Sequence, residues 1–255
     1  MARYCFITIC LSVSTILFSS FSSTLSVYAR PAQSTQRPLN TQRVRSYVPK
    51  FKPPKVGTPL STVGAGARSE SGVCVREGTT PLTAITPSDT VALTTAENTE
   101  VFVYIPETQA ETMRLVVKDD LDNEVLRKSI PTPNNAGIIR FNLAQLGLTQ
   151  SLALNKSYRW SFTLMCLPQD RSDDIVVGGW IKRTTLSPGL VKQLSNVTPQ
   201  QRPSLYAENG IWNEAVISLV ELRRSRPQDP TLATYWKELL KSVGLENVAE
   251  KPFVQ

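Results

Sequence analysis

Between residues 83 and 183, apolar and polar positions alternate with a period of two, in runs broken by polar, Pro- or Gly-bearing stretches. Over 157–166, Tyr158, Trp160, Phe162 and Leu164 fall on one face, and Arg159, Ser161 and Thr163 on the other. A strand sends successive side chains to opposite faces, so this pattern predicts half-buried strands. The same reasoning predicts strands over 83–85, 91–95, 100–105, 113–118, 124–130, 137–143, 157–166 and 175–183. No amphipathic helix separates them, which argues against βαβ units and for antiparallel pairing. So many short strands within about 100 residues suggest an immunoglobulin-like antiparallel β-sandwich, expected over 64–187.

Beyond residue 187 the period changes. Residues 190–194 read as a helical turn, and 198–207, 211–226 and 231–242 as three helices. Ala215, Leu219 and Leu222 share one face of the second; Leu232, Tyr235, Leu239 and Leu240 share one face of the third. Asp229-Pro230 separates these two, and Gly210 and Gly244 stand where helix ends need them. The offsets of Tyr206, Gly210, Trp212, Ala215, Leu219 and Pro227 resemble the second half of a tetratricopeptide repeat. The leading half is missing and there is no second copy, so no solenoid can form. Residues 188–247 are therefore expected to make a short, single tetratricopeptide-like helical segment, packed on the sandwich or on a partner, with 248–255 as a tail.

The N-terminal end has a different character. Arg3, an apolar run from Tyr4 to Phe18 and a small-residue site at Val27-Tyr28-Ala29 predict a signal peptide over 1–29. Export to the periplasm, cell surface or extracellular space follows, with no integral membrane span after cleavage. Cys5 and Cys10 would leave with the signal. Cys74 and Cys166 would remain, and an even pair in an exported chain reads as a disulfide. Closing so long a loop is worth roughly 4–5 kcal/mol at most in the chain-entropy picture. Residues 30–63 hold seven Lys and Arg, six Pro and no acid. Proline at that density opposes helix and interior strand, so the stretch reads as a basic, disordered linker. Its charge would suit an anionic cell-wall polymer or an acidic envelope protein, or would merely space the domain from the membrane. The rest of the chain is close to neutral and has no basic, aromatic-interleaved surface, so nucleic acid is not expected as a partner.

The chain contains no His. That excludes Ser-His-Asp and Cys-His nucleophiles and His-ligated metals. The acidic run from Asp119 to Glu124 lacks the Gly and distant Glu of a calcium loop and falls where a hairpin turn is due. With Asp170, Asp173 and Asp174 it forms the one set of carboxylates that a hydrolase acting on envelope carbohydrate could use, with Asp122 and Asp173 as the pair to test. Gly64 to Arg68 is not a phosphate loop, since no strand precedes it and no Lys-Ser/Thr follows. Gly178-Gly179 inside a strand signals close backbone approach beside Trp160. No catalytic set, metal site or cofactor is expected. Contact with a partner is expected from Arg68, Trp180, Lys182 and Arg183 on the sandwich and from Trp212 on the helices.

Several landmarks together carry a family resemblance. They are Gly64-Ala65-Gly66-Ala67-Arg68 ahead of Cys74, Leu82 to Pro87, Val103 to Pro106, Tyr158-Arg159-Trp160, Cys166, Gly179 to Arg183, and Tyr206 to Trp212. The combination, over about residues 64–245, resembles the domain-of-unknown-function family 928, a family of secreted cyanobacterial proteins. The resemblance implies export and a single homologous unit in an envelope setting, and brings no catalytic residues with it. The expected role is a non-catalytic periplasmic or cell-surface interaction module.

Overall fold

The computed structural model describes residues 47–55 and 74–254. The expected signal peptide, the remainder of the basic stretch and Arg68 lie outside the described residues. Eight strands come first: β1 (Thr83–Ala84), β2 (Ala92–Thr94), β3 (Glu100–Ile105), β4 (Thr112–Lys118), β5 (Glu124–Pro131), β6 (Gly137–Asn142), β7 (Ser157–Met165) and β8 (Ile175–Arg183). Four helices follow: α1 (Pro188–Ser195), α2 (Arg202–Glu208), α3 (Trp212–Ser225) and α4 (Pro230–Lys241). The protein is thus mainly β, in two sheets, with a helical C-terminal part.

One sheet has the order β1-β3-β6 and the other β2-β8-β7-β4-β5. All pairs are antiparallel except one. β2 runs parallel to β8, with Leu93 opposite Lys182. The expectation of purely antiparallel pairing fails there because Pro87 interrupts the chain after β1, and the next run joins the other sheet alongside its last strand. Val101, Val103 and Ile105 from β3 meet Leu115, Trp160, Phe162 and Val177 between the sheets. Cys74 and Cys166 are joined beside that core, with Cα atoms 5.2 Å apart. The paired glycines on β8 serve close approach as expected. A Cβ on Gly178 would lie 2.2 Å from the Trp160 carbonyl oxygen, and one on Gly179 2.7 Å from Thr86 Cγ2.

The helices bury the opposite face of the smaller sheet. Phe102 and Tyr104 from β3 and Ile138 from β6 pack with Trp212, Val216, Leu219, Trp236 and Leu239. The helical segment therefore packs on its own sandwich. α1 is started by the Ser187 side chain and α4 by Asp229, whose carboxylate accepts from the Thr231 N–H at 3.0 Å. Asn209-Gly210 turns α2 into α3. Gly210 has φ +75° and lies so near Pro54 that a Cβ there would meet it at 3.0 Å.

Two expectations fail at the ends of the chain. Residues 47–55, within the stretch read as a disordered linker, form an extended strap against the helices. The Lys52 N–H donates to the Ala207 carbonyl at 3.0 Å and the Phe51 N–H to Ser242 Oγ at 3.0 Å, while Ser204 Oγ donates to the Tyr47 carbonyl. Phe51 is buried edge-on against Trp212. A Pro-rich strand cannot pair with itself, but it can satisfy its remaining N–H groups on helix ends and side chains. The expected tail over 248–255 is also docked. Val248 is buried, Phe253 stacks near Trp236, and Val254 N–H donates to the Ile138 carbonyl at 3.0 Å along the β6 edge.

Candidate functional site

The two faces of the larger sheet differ. Its inner residues belong to the inter-sheet core. Among the described residues, its outer face is covered only at the β2 edge, where Leu93, in register with Lys182, packs with Leu190, Leu194, Leu205 and Ile211. Strand register fixes what that face presents. Trp180 on β8 stands opposite Arg159 on β7, which stands opposite Lys118 on β4. One step along, Lys182 lies opposite Ser157. Toward the other end, Gly178, Ser161 and Val116 form a row, and then Val176, Thr163 and Arg114. The result is a half-exposed face with one large aromatic side chain, several hydroxyls and a series of cations.

Among the described residues, not every cation on this face is held in an ion pair, although Arg114 lies near enough to Glu124 to help lower its pKa. Asp122 accepts from Lys118 Nζ at 3.0 Å and from Arg159 Nη2 at 2.6 Å. Arg127 Nε donates to Glu124 at 2.7 Å. Arg114 and Lys182 make no ion pair among the described residues, and the buried Nε of Arg114 has no hydrogen-bond partner there. Cations held on a flat, partly dry sheet attract anionic groups, and an indole beside them offers a stacking surface.

The acidic residues of the sequence do turn-building work. Asp119 accepts from the Leu121 and Asn123 N–H groups at 2.9 and 2.8 Å, closing the β4–β5 hairpin turn, and Asp122 sits there at φ +67°. Lys156 Nζ donates to Asp120 at 2.6 Å. The side chain of Asn123 bonds Asp119, Lys118 bonds Asp122 and Arg127 bonds Glu124; each holds its carboxyl below the usual range. Asp170 accepts from Ser172 Oγ and N–H, which lowers it likewise, and Asp174 pairs with Arg171 at 2.5 Å. Among the described residues, no three Cys, Asp or Glu side chains converge as a metal requires.

The expected contact residues separate. Trp180 and Lys182 share the outer face with Arg114 and Arg159, which sequence reasoning missed although their alternation with buried neighbours put them on it. Arg183, one residue on, points the other way. Its Nη1 donates to the Leu152 carbonyl at 2.9 Å and its Nη2 to Glu97 at 2.8 Å, tying the loops at the end of the sheet. Trp212 is 1% exposed, and its Nε1 donates to the Ile85 carbonyl at 3.1 Å. It is a core residue and offers no contact to a partner. Its spacing with Ala215 and Leu219 is that of one buried helix face.

The family model for Domain of Unknown Function (DUF928) matches residues 63–253. No match was found among curated proteins. No helix among the described residues is long and apolar enough to cross a membrane.

Proposed function

Because the chain belongs to the Domain of Unknown Function (DUF928) family, whose description carries no activity, we propose from its own surface that it is a non-catalytic interaction module. It is exported to the periplasm or cell surface, and the outer face of its larger sheet binds an anionic cell-wall polymer. The observation that carries this reading is Trp180 in register with Arg159 and Lys118, flanked by Arg114 and Lys182, which make no ion pair among the described residues. A flat face of this kind suits a long chain molecule better than a small one, which needs a concave site. The disulfide and the basic residues before the domain agree with an envelope setting. The strand order β8-β7-β4-β5 in one sheet supports the immunoglobulin-like reading of the sandwich. The α2–α3 hairpin, turned at Gly210, supports the repeat-like reading of the helices.

The test is binding to an insoluble anionic polysaccharide, measured by co-sedimentation across a salt series, for the wild type and for Trp180→Ala and Arg114→Gln with Lys182→Gln. Binding that weakens with salt and falls about tenfold in the double variant is the expected result. Equal binding by all three proteins, or none by the wild type, would overturn the proposal.

A further inference from the structure

Apart from that face, the helical half holds a concave site. A cleft of about 560 Å³ opens between the last turn of α3, the start of α4, β6 and the C-terminal segment. Four arginines line it, Arg140, Arg223, Arg224 and Arg226, with Asp229 as the single acid. Its size is that of small-molecule sites.

The four arginines are not equivalent. Arg140 Nε is 2.6 Å from Glu100, and its Nη1 donates to Glu221, so its charge is met within the protein. Arg226 reaches Asp229 only at 4.0 Å, and that carboxylate is already taken up by the Thr231 N–H and by Gln200 Nε2 at 3.0 Å. Arg224 is exposed and has no ion pair among the described residues. Arg223 lies against two rings that touch each other, its guanidinium carbon 5.4 Å from the Trp236 centroid and 5.2 Å from that of Phe253. Its Nη1 is buried and has no hydrogen-bond partner among the described residues.

A plainer role for these residues is to offset the negative end of the α3 dipole, which favours cations in the last turn. That accounts for Arg224. It does not account for holding the guanidinium of Arg223 half-buried against two rings, where the partial loss of water lowers its pKa. A guanidinium remains charged in proteins and accepts no hydrogen bond. Held against the two rings and lining the cleft, it gives the cleft a fixed positive charge for an incoming oxyanion. The rest of the wall is apolar, formed by Ile139, Val220, Pro227, Ala233 and Val254.

We propose that this cleft binds an amphipathic organic anion, with its carboxylate or phosphate on Arg223 and Arg224 and its apolar body against Val220, Ile139 and Ala233. This site is independent of the sheet face, so either can fail without the other.

The experiment is calorimetric titration of the full chain with octanoate, octyl phosphate, inorganic phosphate and octanol. The two octyl anions distinguish a carboxylate from a phosphate head group. Expected is binding of at least one octyl anion, with octanol and inorganic phosphate each at least tenfold weaker. Arg224→Gln, at an exposed position that leaves the stacked rings in place, should weaken the octyl anion about tenfold, and Arg223→Gln by more. Octanol binding as well as the anions, an unchanged affinity in Arg224→Gln, or no binding by either octyl anion at millimolar concentration would each overturn it. Trp180→Ala should bind these probes like the wild type. If that variant loses them, the anion sits on the sheet face and the cleft assignment is wrong.

Discussion

Strands β3 and β7 stand in opposite sheets and are written differently. In β3, Glu-Val-Phe-Val-Tyr-Ile, every residue is buried. In β7, Ser-Tyr-Arg-Trp-Ser-Phe-Thr-Leu-Met, buried and half-exposed residues alternate from end to end. The difference is one of layers. The sheet of β3 is covered by the other sheet on one side and by helices on the other, so both side-chain sets of β3 are apolar except at Glu100, whose charge is met by Arg140. Away from its β2 edge, the sheet of β7 has a single covered face among the described residues. The outer face of β7 and its neighbours is thus the part of the sandwich whose residues are not chosen by packing, and it is where a binding role is open to them.

The sharpest way to break this comparison is to cut the same outward-facing set in each strand. Phe102→Ala on β3 removes a ring from the helix–sheet core and should cost about 3–5 kcal/mol, a core truncation. Thr163→Ala on the outer face of β7 should stay within about 0.5 kcal/mol, a surface change. Urea unfolding of both variants measures this. Similar costs would mean that the helices do not seal the smaller sheet, or that something covers the larger one.

A smaller effect is expected at the clamp between the layers. Glu214, in the first turn of α3, accepts through Oε1 from Thr94 Oγ1 at 2.9 Å, Thr95 N–H at 2.6 Å and Thr95 Oγ1 at 2.9 Å. Beside it, Asn213 Nδ2 donates to Thr99 Oγ1 and to the Glu100 carbonyl, both at 3.0 Å. Glu214→Gln keeps the shape but replaces charge-assisted bonds with neutral ones, so a loss of about 1–3 kcal/mol is expected in the same assay. An unchanged midpoint would show that apolar contacts alone hold α3 to the sandwich.

The strands and helices were legible because their signals are local. Period two over 157–166 and the shared face of Ala215, Leu219 and Leu222 do not depend on what packs against them. The parallel partner of β2 was not legible, since it is set by a strand that lies some ninety residues on. The strap at 47–55 was hidden by its prolines, although Tyr47, Pro49 and Phe51 alternate with Val48, Lys50 and Lys52 and carry a weak period of two. Trp212 was misplaced because a repeat-like pattern drew attention to it, whereas its spacing with Ala215 and Leu219 already marked a buried face. On the sheet, Trp180 and Lys182 were named from the sequence as contact residues, and placing their neighbours Arg114 and Arg159 on the same face needed only the strand alternation. The arginine cleft needed the fold itself. Arg223, Arg224 and Arg226 read as ordinary charges at a helix end until Trp236 and Phe253 are brought beside them.

The smallest effect, and the one that ties stability to the open face, lies at the β4–β5 turn. Asp122 is held ionised by Lys118 first and also by Arg159, so its pKa lies below the usual value of about 3.9. A group depressed in the folded state stabilises the fold above its unfolded pKa and loses that contribution as the pH falls through the folded value. The exposed turn should therefore loosen only below the ordinary carboxylate range, and nuclear magnetic resonance titration of Asp122 should give a midpoint under that of a free aspartate. Asp122→Asn isolates the charge, because asparagine tolerates the left-handed backbone at this position as aspartate does. Lys118 and Arg159 would then lose the carboxylate they share, beside Trp180. The variant should melt close to the wild type at neutral pH and bind the anionic polysaccharide more tightly, the opposite sign from Arg114→Gln with Lys182→Gln. Weaker binding by Asp122→Asn would mean that the turn carboxylate takes part in recognition, and the charge on the sheet face would lose its assigned role.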